Sequence, residues 1–375
     1  MSARFLTVVL ERVFNMRDGF GREIDYMRIS VIDSCNLNCY YCNPCDNNEH
    51  CHALNILSVK EVLCIVRAAT RLGIKHFRLT GGEPLLHPQL DEMVLQIKKI
   101  PGVSSVSLTT NAVLLAQHAK WLKEAGIDSI NVSLDTIDAS EYERITKKPL
   151  LEEVKHGINA AIECGIRVKI NVVLTPQTDV VALTRYVAKK GTDIRFIEMM
   201  PVGEGHTNGV EPYKKVIGTL SKLYGEPCRI NTEKTKEINS GNDKRKIPDN
   251  GPAEYYIFPE LGIRVGLIQA IHGKFCDTCN RIRVTADGRL MPCLGSSVTM
   301  DLVPDSCEFT DDLEKDFVIV QALKAAIKAK PGCHNFNDNA VTYTKTTETK
   351  TVETKTTELK AAEVNAARNM SRIGG

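Results

Sequence analysis

No apolar run in the sequence approaches the roughly 18 residues of a membrane-spanning helix, so no membrane partner is expected. Nor is there an excess of one charge. Lys and Arg total 48 against 46 Asp and Glu, and a net charge of +2 excludes general nucleic-acid binding by bulk electrostatics. The stretch Phe5–Leu10 is short and is followed at once by Glu11, which reads poorly as a secretory signal. A mitochondrial transit segment using Arg4 and Arg12 is the lesser reading, and the expected setting is cytoplasmic. The composition of a disordered chain is missing too. With 43% apolar and 25% charged residues, the 375-residue chain can bury a large core as one big domain or two ordinary ones.

Against these absences stand 13 cysteines. A large chain with no export signal keeps its thiols reduced, so a disulfide framework is not expected. Cys35, Cys39, Cys42, Cys45 and Cys51 crowd one region, and Cys276, Cys279 and Cys293 form a second group far away. Clusters of this kind in a reducing compartment point to metal ligation.

From Arg28 to Met200 short β-branched runs alternate with amphipathic stretches. The strand-like runs are 28–33, 76–80, 105–110, 129–135, 167–174 and 194–200, and helical spacing covers Lys60–Leu72, Leu90–Ile100, Ala116–Ala125, Glu152–Cys164 and Val180–Lys190. Strand–helix units in series imply a parallel sheet, because each parallel crossover needs about a dozen residues. Six units rather than eight predict an α/β fold, an incomplete (β/α)6 barrel, with an open doubly wound sheet as the alternative. The polar strand ends Asp33, Thr80, Asn111, Asp135 and Glu198 lie where such folds place their chemistry. Beyond Pro201 the pattern gives way to Gly- and Pro-punctuated segments, read as a smaller domain holding the later cysteines. The expected division is 1–202, 203–340, and a Thr/Lys/Glu-rich arm with a Gly-Gly tail over 341–375.

Cys35-x3-Cys39-x2-Cys42 supplies three thiolates just after a strand. A [4Fe–4S] cluster normally takes four cysteines, so three leave one iron free for a substrate; a structural zinc site completed by a His is the alternative. The flanking residues favour the first reading. DSCNLNCYYC, with Tyr41 before the last cysteine, resembles the radical S-adenosylmethionine superfamily, and TGGEP at 80–84 resembles its Gly-Gly-Glu motif. That resemblance implies that Glu83 receives the amino group of S-adenosylmethionine. Glycines suit close backbone approach to a ligand, and a carboxylate suits an ammonium. Cys45, Cys51 and Cys64 fall outside the spacing and read as loop or core thiols.

In the second group, Cys276-x2-Cys279-x13-Cys293, Arg281 and Arg283 alternate on a strand-like run and so project to one face. Two forked cations beside a metal group suit an anionic ligand, phosphate above all. Zinc or a pure electron-transfer cluster is the alternative for these cysteines. FGREIDYMRISVID, RLTGGEPLL, SLTTN, INVSLDT, IRFIEMMPVG, GPAEYY, this group and the closing Ile373-Gly374-Gly375 are together similar to the GTP 3′,8-cyclases of molybdenum-cofactor biosynthesis.

The resemblance implies two [4Fe–4S] clusters, one on Cys35, Cys39 and Cys42 and one on Cys276, Cys279 and Cys293 with an iron open to guanine. It places S-adenosylmethionine against Tyr41, Gly82, Glu83, Thr109, Ser133 and Met200, and GTP against Arg28, Arg78, Lys169, Arg195, Arg281 and Arg283. It assigns Gly374 and Gly375 to a tail that reaches the active site. An electron donor such as a flavodoxin or ferredoxin is implied, and a homodimer is compatible. Three positions depart from the family pattern: Ser34 and His87 stand where Arg is usual, and His76 where Lys is usual. The rivals are another radical enzyme acting on a peptide or a different purine nucleotide, and a non-catalytic electron carrier, which would need no TGGEP segment.

Overall fold

The structure is a computed structural model that describes residues 16–42, 55–202, 210–230, 251–296, 299–302, 312–334 and 336. Its frame is one twelve-stranded sheet. The first six strands are β1 (Tyr26–Ser30), β2 (His76–Thr80), β3 (Ser105–Thr110), β4 (Ser129–Ser133), β5 (Val168–Leu174) and β6 (Asp193–Glu198). They pair in chain order and in parallel. Between them run helices α1 (Val59–Arg71), α2 (Leu90–Lys98), α3 (Leu115–Glu124), α4 (Ala139–Thr146), α5 (Leu151–Glu163) and α6 (Val180–Lys189), and α7 (Gly218–Tyr224) follows β6.

Local chemistry accounts for these boundaries. Ser58 starts α1 through a capping box in which its hydroxyl accepts from the Glu61 amide while the Glu61 carboxylate accepts from the Ser58 amide. Gly73, Gly102, Gly126, Gly165 and Gly191, each with positive φ, turn the chain from helix back to strand. Strands β3 and β5 are buried almost throughout, as expected of a parallel sheet covered by helices. Strand β1 begins earlier than the apolar run suggested and stops at Ser30, because Ile32 leaves the ladder to bridge Ile56.

The residues beyond 202 extend both edges of this same sheet. β9 (Arg264–Ile268) pairs in parallel with β6, and β8 (Glu254–Ile257) and β7 (Cys228–Ile230) follow antiparallel. On the opposite edge β10 (Arg281–Val284) pairs in parallel with β1, and β11 (Arg289–Met291) and β12 (Met300–Asp301) follow antiparallel. Among the described residues β9 and β10 do not pair with each other, so the barrel is incomplete. It is nevertheless curled: Arg281 on β10 lies within the field of Arg195 on β6, although five strands separate β10 from β6 in the sheet.

Between the sheet and its helices, Met27, Ile29, Phe77, Leu79 and Phe196 are fully buried. Outside, helix α8 (Asp312–Lys328) packs on α1, where buried Asp316 pairs with Arg67 at 3.4 Å and Arg71 at 3.2 Å. Three helices, α4, α7 and α8, were not anticipated. Helix α4 is short and polar and is started by the Asp138 cap, while α8 has apolar residues spread around its circumference. Among the described residues no helix is long and apolar enough to cross a membrane.

Candidate active site

The C-terminal ends of β1 to β4 build the first part of the site. Cys35, Cys39 and Cys42 lie in the loop after β1, and the Cys42 amide donates to the Cys39 carbonyl at 3.0 Å. This loop is pinned from several sides. Tyr41 donates its hydroxyl to Asp135, whose other oxygen accepts from the Val173 amide at 2.7 Å. Asn111, at the end of β3, donates to Asn36 at 2.8 Å and reaches the Cys35 sulfur at 3.8 Å.

Buried Glu83 ties the neighbouring turn to the same frame. It accepts from Thr110 Oγ1 at 2.6 Å and from the amides of Asn111 at 2.7 Å and Leu85 at 3.0 Å. Burial outweighs these bonds and raises its carboxyl to about 7. The two glycines before it also have a reason internal to the protein. A Cβ at Gly82 would stand 2.2 Å from the Ser34 carbonyl, and one at Gly81 would stand 2.4 Å from that of Ile32. Only glycine lets the β2 loop lie against the cysteine loop.

The thiols of this first group are disfavoured as free thiolates. Burial pushes Cys35 up to about 11 and Cys42 to about 12, and it raises Cys39 well above its ordinary value. The sulfurs of the group and Asp135 add to this by like-charge repulsion. Three thiols held together under these conditions fit a group that brings its own positive charge, as iron does. Among the described residues no three His, Cys, Asp or Glu converge on a position for a single metal ion.

The second part of the site lines the barrel wall. Register places Arg283 of β10, Arg28 of β1 and Arg78 of β2 side by side in one row, with Arg281 and Tyr26 paired in the next. Like charges directly opposed across strands repel. Burial and Arg283 hold the Arg28 guanidinium well below its usual range, and burial and Arg281 bring that of Arg283 to about 10. Buried atoms without a hydrogen-bond partner include Arg28 Nε, Arg283 Nη1 and Arg195 Nη2. Arg195 Nε donates to Asn171 Oδ1 at 2.9 Å, and Gly266 on β9 leaves space for its stem, since a Cβ there would lie 2.8 Å from Arg195 Cγ. Buried Lys169 lies over the Tyr255 ring.

Tyr26 is the member of this row that the sequence reading missed. Its hydroxyl accepts from Arg78 Nε. Burial pushes the phenol up, but Arg78, Arg28 and Arg281 outweigh it and bring it down to about 8. The available signal was its period-two spacing from Arg28. Thr109 accepts from Arg78 Nη1 at 3.3 Å on the same wall, while Ser133 is exposed at the end of β4 and Met200 is half-buried just after β6. Glu198, also at the end of β6, accepts from the Ile271 amide at 2.7 Å and pairs with His272.

The second cysteine group adjoins this wall. Cys276 and Cys279 flank a short 3-10 turn, and Cys293 follows β11. Burial pushes the Cys279 thiol up, but Lys330 and Arg281 outweigh it and leave it below its ordinary value, which fits a metal-bound thiolate. A cavity of about 200 Å3 is lined by Phe275, Cys279, Asn280 and Arg281 together with Gly251 and Pro252.

The three departures from the family pattern have local partners. Ser34 offers its carbonyl to the Glu83 amide at 2.8 Å. His76 bonds Ser105 at 2.8 Å, and buried His87 bonds the Leu57 carbonyl at 2.9 Å. Cys45, Cys51, Gly374, Gly375 and the 341–360 run lie outside the described residues.

Comparison with known proteins agrees with this geometry. The Radical SAM superfamily model matches residues 29–182, and the Molybdenum Cofactor Synthesis C model matches 192–336. The chain is 36% identical over 324 residues to a GTP 3′,8-cyclase of Clostridium perfringens (strain SM101 / Type A), covering 86% of this chain and 95% of that protein. It is likewise 36% identical over 327 residues to the GTP 3′,8-cyclase of Pelotomaculum thermopropionicum, covering 85% and 95%. Among solved structures, Streptococcus suis SuiB bound to S-adenosylmethionine shares the fold with a TM-score of 0.52 at 14% identity, over 80% of this chain and 65% of that one. Motif spacing, partial barrel and the two matched regions together lead to one assignment: the chain belongs to the radical S-adenosylmethionine superfamily and, within it, to the GTP 3′,8-cyclase family.

Proposed function

We propose that the protein converts GTP to (8S)-3′,8-cyclo-7,8-dihydroguanosine 5′-triphosphate, joining ribose C3′ to guanine C8, as the first step of molybdenum-cofactor formation. The observation that carries this reading is the row Arg283–Arg28–Arg78. Buried guanidinium atoms without partners are costly, and two of them side by side, Arg28 Nε and Arg283 Nη1, call for a polyanion. A triphosphate supplies one, and it reconciles local positive charge with a near-neutral chain.

An iron–sulfur cluster held by Cys35, Cys39 and Cys42 would supply the electron that cleaves S-adenosylmethionine, so that a hydrogen atom can be taken from the ribose. The chain's own residues do the rest. Glu83 receives the ammonium of S-adenosylmethionine, whose positive charge favours the ionised carboxylate. Gly82, Thr109, Ser133 and Met200 line the same ligand beside Tyr41. Lys169 and Arg195, on β5 and β6, close on the phosphates together with Arg28, Arg78, Arg281 and Arg283 and fix the nucleotide, so that C3′ and C8 stay in reach. Cys276, Cys279 and Cys293 would hold a second iron–sulfur cluster that receives the guanine, and Gly374 and Gly375 are assigned to catalysis. We divide the chain at 202 and 340, place it in the cytoplasm, and assign it a flavodoxin- or ferredoxin-type donor, with a homodimer compatible with this reading.

Anaerobic incubation with GTP, S-adenosylmethionine and dithionite, read by mass spectrometry, tests the reaction itself. Arg28→Ala and Arg283→Ala test the observation that carries it. Losing a charged hydrogen bond is worth roughly 1.5–3 kcal/mol, so GTP binding should weaken by at least about tenfold while guanosine binding and iron content stay the same. Unchanged GTP affinity in both variants would overturn the phosphate assignment.

A further inference from the structure

Strand β4 alternates cleanly. Ile130 and Val132 are fully buried on the helix-covered face of the sheet. Ser129, Asn131 and Ser133 therefore share the opposite face, which lines the barrel. Register sets Asn131 directly between Thr109 on β3 and Lys169 on β5. Thr109 in turn accepts from Arg78 Nη1 at 3.3 Å, so Asn131 belongs to the same wall as the arginine row.

Asn131 is 2% exposed, and its Oδ1 is buried without a hydrogen-bond partner among the described residues. Asn171, on β5, makes the contrast, because its Oδ1 accepts from Arg195 Nε at 2.9 Å. A buried amide oxygen left without a donor costs the fold stability and calls for an explanation. The other unpartnered atoms on this wall, Arg28 Nε, Arg195 Nη2 and Arg283 Nη1, are donors. Phosphate oxygens can satisfy those atoms but not Asn131 Oδ1, since an ionised phosphate offers acceptors only. Asn131 needs a ligand group that donates.

We infer that Asn131 is a substrate-binding residue whose Oδ1 accepts a hydrogen bond from a ribose hydroxyl of GTP. This rests on the proposed function, which lines S-adenosylmethionine with Thr109 and Ser133 and the triphosphate with Lys169. Asn131 has Thr109 on one side, Lys169 on the other and Ser133 two residues on along the same face, so it stands where the two ligands meet. The ribose is the part of GTP that belongs at that meeting point, because its C3′ gives up a hydrogen atom there. Its hydroxyls are also donors of the kind that Oδ1 lacks. A sugar held by one of them cannot rotate freely between base and phosphates, which keeps C3′ in line.

The test uses the full chain, anaerobically reconstituted and kept without reductant, with Asn131→Leu and Asn131→Ala. Titration calorimetry compares GTP, 2′-deoxy-GTP, 3′-deoxy-GTP and S-adenosylmethionine. Loss of one hydrogen bond between neutral groups should weaken GTP binding about twofold to tenfold in both variants. One of the two deoxy analogues should bind wild type and variants alike, which identifies the hydroxyl, and affinity for S-adenosylmethionine should not change. Asn131→Leu removes the unpartnered atom and keeps most of the volume, so without nucleotide it should melt at or above wild type. Equal weakening for GTP and both analogues with a lower melting temperature would mark a merely structural residue and overturn the inference. Weakening for S-adenosylmethionine alone, or no weakening at all, would overturn it too, and each of these results leaves the proposed function standing. A wild-type protein that does not bind GTP would overturn the proposed function itself.

Discussion

The two cysteine groups supply the same number of thiols under different electrostatics. Cys35, Cys39 and Cys42 sit in one short loop among Asp135, Glu83 and each other, and every one of them is pushed up. In the second group burial and the neighbouring sulfurs also push Cys276 up, but Cys279, despite its burial, is drawn down by Lys330 and Arg281, residues remote from it or on the adjoining strand. The first group thus depends on the bound metal for its charge balance, whereas the second has part of that balance built into the protein. Under the proposed function the difference matches two tasks: a net negative surround favours a site that gives up an electron to a cationic ligand, and a cationic surround favours one that receives the guanine of a polyanionic nucleotide.

The largest effect is expected from removing the first group altogether. Cys35, Cys39 and Cys42 changed together to Ala should abolish S-adenosylmethionine cleavage and remove about half the iron, as expected for one cluster of two. Iron and sulfide assays with 5′-deoxyadenosine detection decide this. Loss of all the iron would show that the two groups are not independent.

A smaller effect should confine itself to the second group. Lys330→Met removes the charge beside Cys279 and strands the Arg281 and Pro292 carbonyls, at a cost of roughly 1–3 kcal/mol in stability. Iron should leave the second group faster while S-adenosylmethionine cleavage at the first persists. Equal loss from both groups would erase the contrast.

The smallest effect concerns pH. Glu83 holds its proton to about 7 when folded and ligand-free, against an ordinary 4.5. Between those values the folded state binds more protons than the unfolded chain, so stability falls as pH rises through the window. Thermal melts from about pH 5 to about pH 8 should show wild type losing more stability than Glu83→Gln, with S-adenosylmethionine restoring the difference. Parallel curves would mean that the carboxyl is already ionised.

Much of this was legible in the chain, for reasons that differ by region. The strands β2 and β3 coincide with their sequence runs because polar and apolar residues alternate there just after the Gly73 and Gly102 turns. Helices α1 and α5 shift by a single residue from the predicted spans. The cysteine groups were legible from spacing. What was not legible depends on register between distant strands. Nothing local to Arg28 says that Arg78 and Arg283 will flank it, or that Tyr26 will stand opposite Arg281. Strands β7, β11 and β12 are too short to show alternation, and Gly332 is joined to Cys276 through Arg22, near the other end of the chain.

The order of strands carries a consequence for synthesis. Both edges of the parallel sheet, beside β1 and beside β6, are closed by segments translated after residue 260: β9 on one side and β10 on the other. A nascent chain that has just completed β6 therefore presents two bare strand edges, each a template for pairing with another chain. At about 5–20 residues per second the ribosome leaves them uncovered for several seconds. The protein's most aggregation-prone moment is its own elongation, and the segment that brings the second cysteine group also ends that exposure.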